Sequence, residues 1–406
     1  MSSDGADVIV VGAGPSGAAT SLLLARAGHR VVVLDRARFP RDKACGEGLM
    51  PPGVAVLSRL GLLEAVLRTG APSLRSVTYR LGGAGSASAT ARFPSPPGGG
   101  PRWGLGVRRL RFDAVLADAL RSEPGIRFLE GVRGTGLRRN RLGRVTGVTT
   151  RCARGSRSGH GDGELSARVV VGADGLHSPT RAAAGWTVPS GTAGRYGLAG
   201  HWRLDTRDID GITVTFAGAH EWYRAPVGAD ELLVSVLGER AVIGTIARDY
   251  VRAARAALPG LRFAELLGPP LAAGLFRQRA RRIAGDGLFL AGDAAGYDDP
   301  TTGEGIATGL LLGEALAGRL DALLRGTASP AATEAGYARD HRRLWRDRRR
   351  VTRLALLLSG HAGAGGRAVR ALSGRARPLE VLLGVNCGYW GFSRLAARDW
   401  LALAGI

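Results

Sequence analysis

The chain has 406 residues, 45% of them apolar and 22% charged, a balance that excludes collagen, coiled-coil, disordered and membrane-bundle classes and allows two or three structural units. No window reaches the 18 or more uninterrupted apolar residues of a spanning helix, so no integral membrane segment is expected. The 56 basic against 34 acidic residues leave +22, but lysine occurs once, at Lys43, and the surplus reads as arginine spread over a surface, not as a nucleic-acid footprint. An anionic substrate or an acidic carrier protein could still use such a field. Cys45, Cys152 and Cys387 are too scattered for a disulfide framework or a zinc cluster, so no metal is expected. Asp4 and Asp7 precede the first apolar run where a secretory signal would carry basic residues, which argues for a cytoplasmic location.

In chain order, Asp7 to Val11 reads as a buried strand breaking on Gly12-Ala13-Gly14-Pro15-Ser16-Gly17. Pro15 suits a first helical position, and the helix formers from Ala18 to Ala27 run to a stop at Gly28. Arg30 to Leu34 is a second strand closed by Asp35, completing a βαβ unit of the Rossmann kind. A strand is expected at Ser76 to Leu81, then a Gly/Ser/Pro-rich departure as far as Pro101, and a helical pattern over Gly106 to Arg121. Further strands are expected at Ile126 to Leu129, Arg144 to Thr150 and Arg168 to Val171, with a hairpin tip between Cys152 and Gly163. Ile212 to Phe216, Leu232 to Leu237 and Ala241 to Ile246 alternate apolar and polar, the pattern of an antiparallel sheet with one covered face. Leu288 to Leu290 returns to a buried strand, Gly305 to Leu320 is helical, and the remainder after Pro330 is helical and arginine-rich.

The first glycine cluster carries chemistry. Gly12 permits the tight turn, Gly14 lets backbone approach a pyrophosphate, and Gly17 lets the helix pack close to its strand, while free N–H groups at the helix start meet the phosphates. Asp35 stands where a ribose hydroxyl would be bound. Read alone, Asp293 is a turn or capping aspartate and Asp174-Gly175 a plain turn after a strand.

Three downstream segments change those readings. Val107 to Asp113 with Arg109, Gly172-Ala173-Asp174-Gly175 to Arg181, and Gly292-Asp293-Ala294-Ala295-Gly296 continued by Pro300-Thr301-Thr302-Gly303-Glu304-Gly305 follow in a distinctive order. Together with the glycine cluster the sequence resembles flavoproteins of the para-hydroxybenzoate hydroxylase-type fold, closest to the geranylgeranyl reductase-like and group A flavin monooxygenase branch. The resemblance runs from residue 7 to about 325 and implies FAD as cofactor, with NADPH or NADH as a visiting reductant. It places Gly12, Gly14, Pro15, Ser16, Gly17, Asp35, Arg36, Cys45, Gly46, Arg109, Val132, Asp174, Gly175, Gly292, Asp293, Pro300, Gly303, Gly305 and Ile306 around FAD. Glycines 303 and 305 let backbone lie against a flat ring, and the following helix points its positive end there, which favours a reduced, anionic flavin.

Arg41 to Gly53 resembles the loop that such proteins run past the flavin. Within it Cys45 and Glu47 are candidate catalytic groups, against the plain readings of a small buried hydrophobe and a loop carboxylate. Glu221-Trp222-Tyr223-Arg224-Ala225-Pro226 matches the reductases' aromatic strand only in part, so Tyr223 is the third catalytic candidate. His201, Trp202, Trp222 and Tyr223 are candidate substrate contacts, although aromatics on a sheet face also serve as core. Arg339, Arg342, Arg343, Arg346, Arg349, Arg350 and Arg353 recur at helical spacing and read as the solvated face of an amphipathic helix.

The expected fold class is α/β: a Rossmann-like FAD-binding domain (1–75, 102–188 and 276–328), an inserted antiparallel β-sheet substrate domain (76–101 and 189–275) and a helical C-terminal part (329–406). The resemblance implies an FAD-dependent oxidoreductase, favoured as an NAD(P)H-driven monooxygenase hydroxylating or epoxidising an apolar polyketide or aromatic. The alternatives are a carbon–carbon double-bond reductase and a non-redox cyclase built on an FAD scaffold.

Overall fold

Ala6–Val11 is apolar and buried from Val8 onward because it is paired on both edges, in parallel, by Val31–Asp35 and Gly163–Gly172. Ile126–Glu130 extends the sheet beyond the former and Leu288–Leu290 beyond the latter, both in parallel. The chain therefore leaves the central strand to one side and later returns to the other, which opens a crevice at the strands' C-terminal ends. The computed structural model describes residues 5–82, 87–152, 161–189, 191, 194–360 and 362–406. Strands Val145–Cys152 and Gly163–Gly172 pair antiparallel, and the expected hairpin tip between them falls largely outside the described residues.

The helix Pro15–Arg26 packs against Gly305–Leu324, and glycine sets the distance. A Cβ at Gly313 would stand 2.6 Å from the Ser16 carbonyl oxygen, and the Thr20 hydroxyl already donates to the Gly313 carbonyl at 3.2 Å. The starts of these two helices are thereby brought to the same crevice.

A second sheet runs in the order Glu265–Leu266, Arg195–Arg203, Glu231–Glu239, His220–Gly228, Gly211–Phe216, Ser76–Leu81, Ser88–Arg92. Its pairings are antiparallel except that Gly211–Phe216 runs parallel to Ser76–Leu81. One face is covered by helices Arg240–Arg248 and Tyr250–Ala257 over a core that includes Trp202, Trp222, Leu232 and Val234. Ala241 to Ile246 is therefore helix, not strand. Ile243 and Ile246, three residues apart, are its buried pair, and a run this short fits both periods.

Helices Pro330–Gly360, Ala362–Leu372, Ala376–Asn386 and Ala397–Ala404 close the far end of this sheet. The long helix buries Tyr337, Trp345 and Val351, and Arg339, Arg342, Arg343, Arg346, Arg350 and Arg353 are exposed. Arg349 is held apart from that stripe, pairing with Asp298 at 2.9 Å and lying over the Trp345 ring. Among the described residues no helix is long and apolar enough to cross a membrane.

Candidate active site

The glycine turn is shaped by what a side chain would strike. Gly12 has φ +108°, and a Cβ there would stand 2.3 Å from the Ala173 carbonyl oxygen; at Gly17 it would stand 1.9 Å from that of Gly12. Gly14 is different: nothing lies within 4 Å of its would-be Cβ, so its missing side chain leaves open space above the helix start. Ser16 Oγ is buried beside this space with no hydrogen-bond partner. The Asp35 carboxylate accepts from the backbone N–H of Ala13 at 2.9 Å and of Ala37 at 2.8 Å, which fixes the turn against the second strand.

The space opens into a cavity of about 210 Å³ between the glycine motifs and the second sheet. Pro15, Cys45, Gly46, Arg109, Gly175, Gly292, Asp293, Pro300, Gly303, Gly305 and Ile306 all line it. Its opposite wall is mainly apolar, with Leu198, Ala199, Ile212, Ala225 and Leu233, and its polar members are Tyr223 and Ser235. An unsatisfied buried hydroxyl, a helix start free of side chains and a backbone cradle facing an apolar wall are a donor set that fits FAD.

Glu47 anchors the loop crossing this cavity. It adopts the left-handed φ of 52° that non-glycine residues seldom take, and its carboxylate is occupied at both oxygens. One accepts the Arg109 N–H at 2.7 Å and the other meets His201 Nε2 at 2.8 Å. The Glu47 carbonyl accepts from Val107, and its own N–H donates to Cys45 Sγ at 3.3 Å. His201 thus sits beneath the loop as the partner of Glu47, not among the lining residues. Arg109 is in turn clamped by Asp113, at 2.8 and 2.6 Å, and Arg41 reaches the same fully buried carboxylate at 2.6 Å. Burial alone would lower the pKa of Arg109; Asp113 and Cys45 beside it raise it above the ordinary arginine value.

Several sequence expectations are corrected here. Trp202 and Trp222 do not face the cavity: both are buried on the opposite face of the sheet, their rings 6.1 and 6.0 Å from that of Tyr250. Alternation along a strand requires this, since Tyr223 faces the cavity and its neighbour must face away. The Asp174 carboxylate is taken by the Ser178 hydroxyl and by Thr180 N–H at 2.8 Å, so its work is to shape the turn into Pro179–Ala183, while Gly175 lines the cavity. Val132 packs its side chain into the core below the sheet, and Arg36 is exposed; neither lines the cavity.

Other groups were not anticipated. Arg181 is buried and donates to the carbonyls of Ala294 and Leu176, both at 2.9 Å, tying two of the glycine segments together. Arg195 pairs with the buried carboxylates of Glu221 and Asp299, and Thr301 Oγ1 donates to both, at 3.2 and 2.6 Å. Tyr223 completes this cluster, its hydroxyl 3.3 Å from Glu221. Burial raises the pKa of Glu221, of Asp299 and, with Glu221 adding to it, that of Tyr223. Lys43, an exposed residue of the loop, also lines the cavity, with its ammonium close to Gly175.

Glu304, at the start of Gly305–Leu324, lies 3.9 Å from the buried guanidinium of Arg348. Burial outweighs that arginine and pushes the carboxyl up to about 7. The folded state then holds the proton more tightly than the unfolded chain, so this group's contribution to stability is lost as pH rises from about 4.5 to about 7. Glu304→Gln is expected to gain about 3 kcal/mol relative to the wild type across that window, read from urea unfolding midpoints; parallel pH curves would contradict it.

The chain belongs to the FAD binding domain family, whose model matches residues 5–228 and 271–350. It is an FAD-dependent oxidoreductase of the class that contains the flavin monooxygenases, with the α/β fold of that class. It is 32% identical over 337 residues to the menaquinone reductase of Mycobacterium tuberculosis, covering 78% of this chain and 77% of that protein. It is 30% identical over 326 residues to the 6-methylpretetramide 4-monooxygenase of Streptomyces rimosus, covering 75% and 72%. Among solved structures, a flavoprotein/dehydrogenase from Cytophaga hutchinsonii superimposes with a TM-score of 0.80 at 22% identity, covering 96% of this chain and 94% of that one. A flavin-dependent brominase also gives 0.80, at 15% identity with 97% and 96% covered.

Proposed function

We propose that this oxidoreductase is an NAD(P)H-driven monooxygenase that inserts one oxygen atom into an apolar biosynthetic molecule held against the second sheet. The observation that carries the reading is the division of the cavity, with backbone cradles and glycine on one wall and Leu198, Ala199, Ile212, Ala225 and Leu233 on the other. FAD, when bound, supplies acceptance of hydride and activation of dioxygen. The chain's own part is to hold the cofactor, orient the substrate and keep water out. Ser16 and the free N–H groups of the helix start would meet its phosphates, Asp35 its ribose, and Gly303 and Gly305 the ring. The apolar wall excludes water from the reacting atoms, which protects an oxygen transfer from wasteful hydrolysis.

One observation favours a second reading, reduction of a carbon–carbon double bond. Tyr223 faces the cavity and keeps its proton well above neutral pH because it is buried beside Glu221. It can give that proton to the carbon next to the one that receives hydride, and recover it through Glu221. Saturating the double bond consumes one hydride and one proton, with NAD(P)H as the reductant. The relative named a menaquinone reductase lends this reading its plausibility.

Turnover of polyketide, aromatic and prenyl candidates with and without oxygen separates the two. The monooxygenase consumes oxygen in step with NAD(P)H and makes no product anaerobically. Tyr223→Phe is expected to leave its rate within about threefold, whereas in a reductase loss of the proton donor costs about a hundredfold or more. Anaerobic formation of a saturated product would overturn the monooxygenase reading.

A further inference from the structure

A second void of about 100 Å³ lies between the second sheet and the C-terminal helices. Ile212, Tyr223 and Gly303 line both it and the first cavity, so the two meet at one junction. Its polarity is graded. Tyr223, Thr301, Thr302 and Asn386 lie at the junction end, and the remaining walls are mainly aliphatic, among them Leu354, Leu358, Val369, Leu372 and Leu382. None of its described lining residues is charged. Asn386 donates to the Thr302 carbonyl at 3.2 Å, while its own Oδ1 is buried without a partner.

Packed interiors keep few voids larger than a water molecule, and an empty apolar one is costly to maintain. Water gains little in this one, because polar partners are confined to one end. The fitting occupant is an amphipathic molecule whose polar part stays at the junction and whose hydrocarbon chain runs under the C-terminal helices.

We propose that the C-terminal helices roof a tail site for a long hydrocarbon chain carried by the substrate, continuous with the first cavity through Ile212, Tyr223 and Gly303. This rests on the first cavity being the substrate site, and it names the substrate class as chain-bearing amphiphiles. A compact polar aromatic would leave the second void empty.

The test is direct binding, by calorimetry, of 4-n-alkylphenols from methyl to dodecyl to the FAD-loaded protein. Affinity is expected to climb about fourfold per methylene until the void is filled, then level off. Ala355→Phe, which extends a ring into the void from the long helix, is expected to abolish the climb and leave the methyl member's affinity unchanged. Leu382→Ala enlarges the void and is expected to move the plateau to longer chains, which keeps the proposal testable if the phenylalanine variant does not fold. A flat series, or a climb that neither variant alters, overturns the tail site. The binding series is read without turnover, so failure here is distinguishable from failure of the oxidoreductase reading, which oxygen and NAD(P)H consumption by the wild type report.

Discussion

Gly14→Ala is expected to give a folded protein that no longer holds its cofactor. The new methyl group meets nothing of the protein within 4 Å, and alanine is compatible with the residue's backbone angles of −72° and −178°. What it enters is the space over the start of Pro15–Arg26, where a pyrophosphate must come to the free N–H groups. A loss of FAD affinity of about a hundredfold or more is expected, with an unchanged far-ultraviolet spectrum. Gly17→Ala is the contrast. Its Cβ would stand 1.9 Å from a backbone oxygen, so strand and helix must separate and stability falls together with binding. Titration of the two apoproteins with FAD, followed by flavin fluorescence, distinguishes them; a Gly14→Ala protein that binds FAD like the wild type would contradict this assignment of the turn.

Asp113→Ala is expected to cost about 3–5 kcal/mol of stability, because it leaves charge buried without its partner. Asp113 is wholly buried and serves Arg109 and Arg41 together. The side chain of Arg109 is 5% exposed, so it has no water to turn to. The effect should also reach the cavity, since the Arg109 N–H holds Glu47, and Glu47 holds the loop that carries Cys45. Chemical unfolding measures the first effect and FAD affinity the second. Asp113→Asn keeps the shape but cannot neutralise either guanidinium, and should fall close to alanine; a loss under about 1 kcal/mol in both variants would refute the pairing as a structural necessity.

The glycine turn was legible because much of its physics is local. Gly12, Gly14, Gly17 and Asp35 lie within one βαβ unit, and Gly17 is required by its contact with Gly12 inside that unit, whereas the close approach at Gly12 comes from Ala173 and Gly14 meets nothing of the protein. What escaped is long-range or depends on face. Asp113 was read as the end of a motif, yet its partners include Arg41, 72 residues away, which no local period reveals. Arg195, Glu221 and Asp299 come from two strands and a turn that meet only in the folded chain. The tryptophans were a different miss. Trp222 and Tyr223 are adjacent on one strand and cannot share a face, so period two could have removed Trp222 from the substrate candidates. Arg348 carried a signal as well. It lies four residues after Leu344 and three before Val351, on the inward side of a helix whose Arg339, Arg342, Arg343, Arg346, Arg350 and Arg353 face water, and it is buried beside Glu304.

Turnover under isotopically labelled dioxygen tests the central claim most directly. With NAD(P)H and an apolar substrate that stimulates its oxidation, the product should gain one labelled oxygen atom for each NAD(P)H consumed. A product made at the same rate without oxygen, or one that carries no label, would contradict the account.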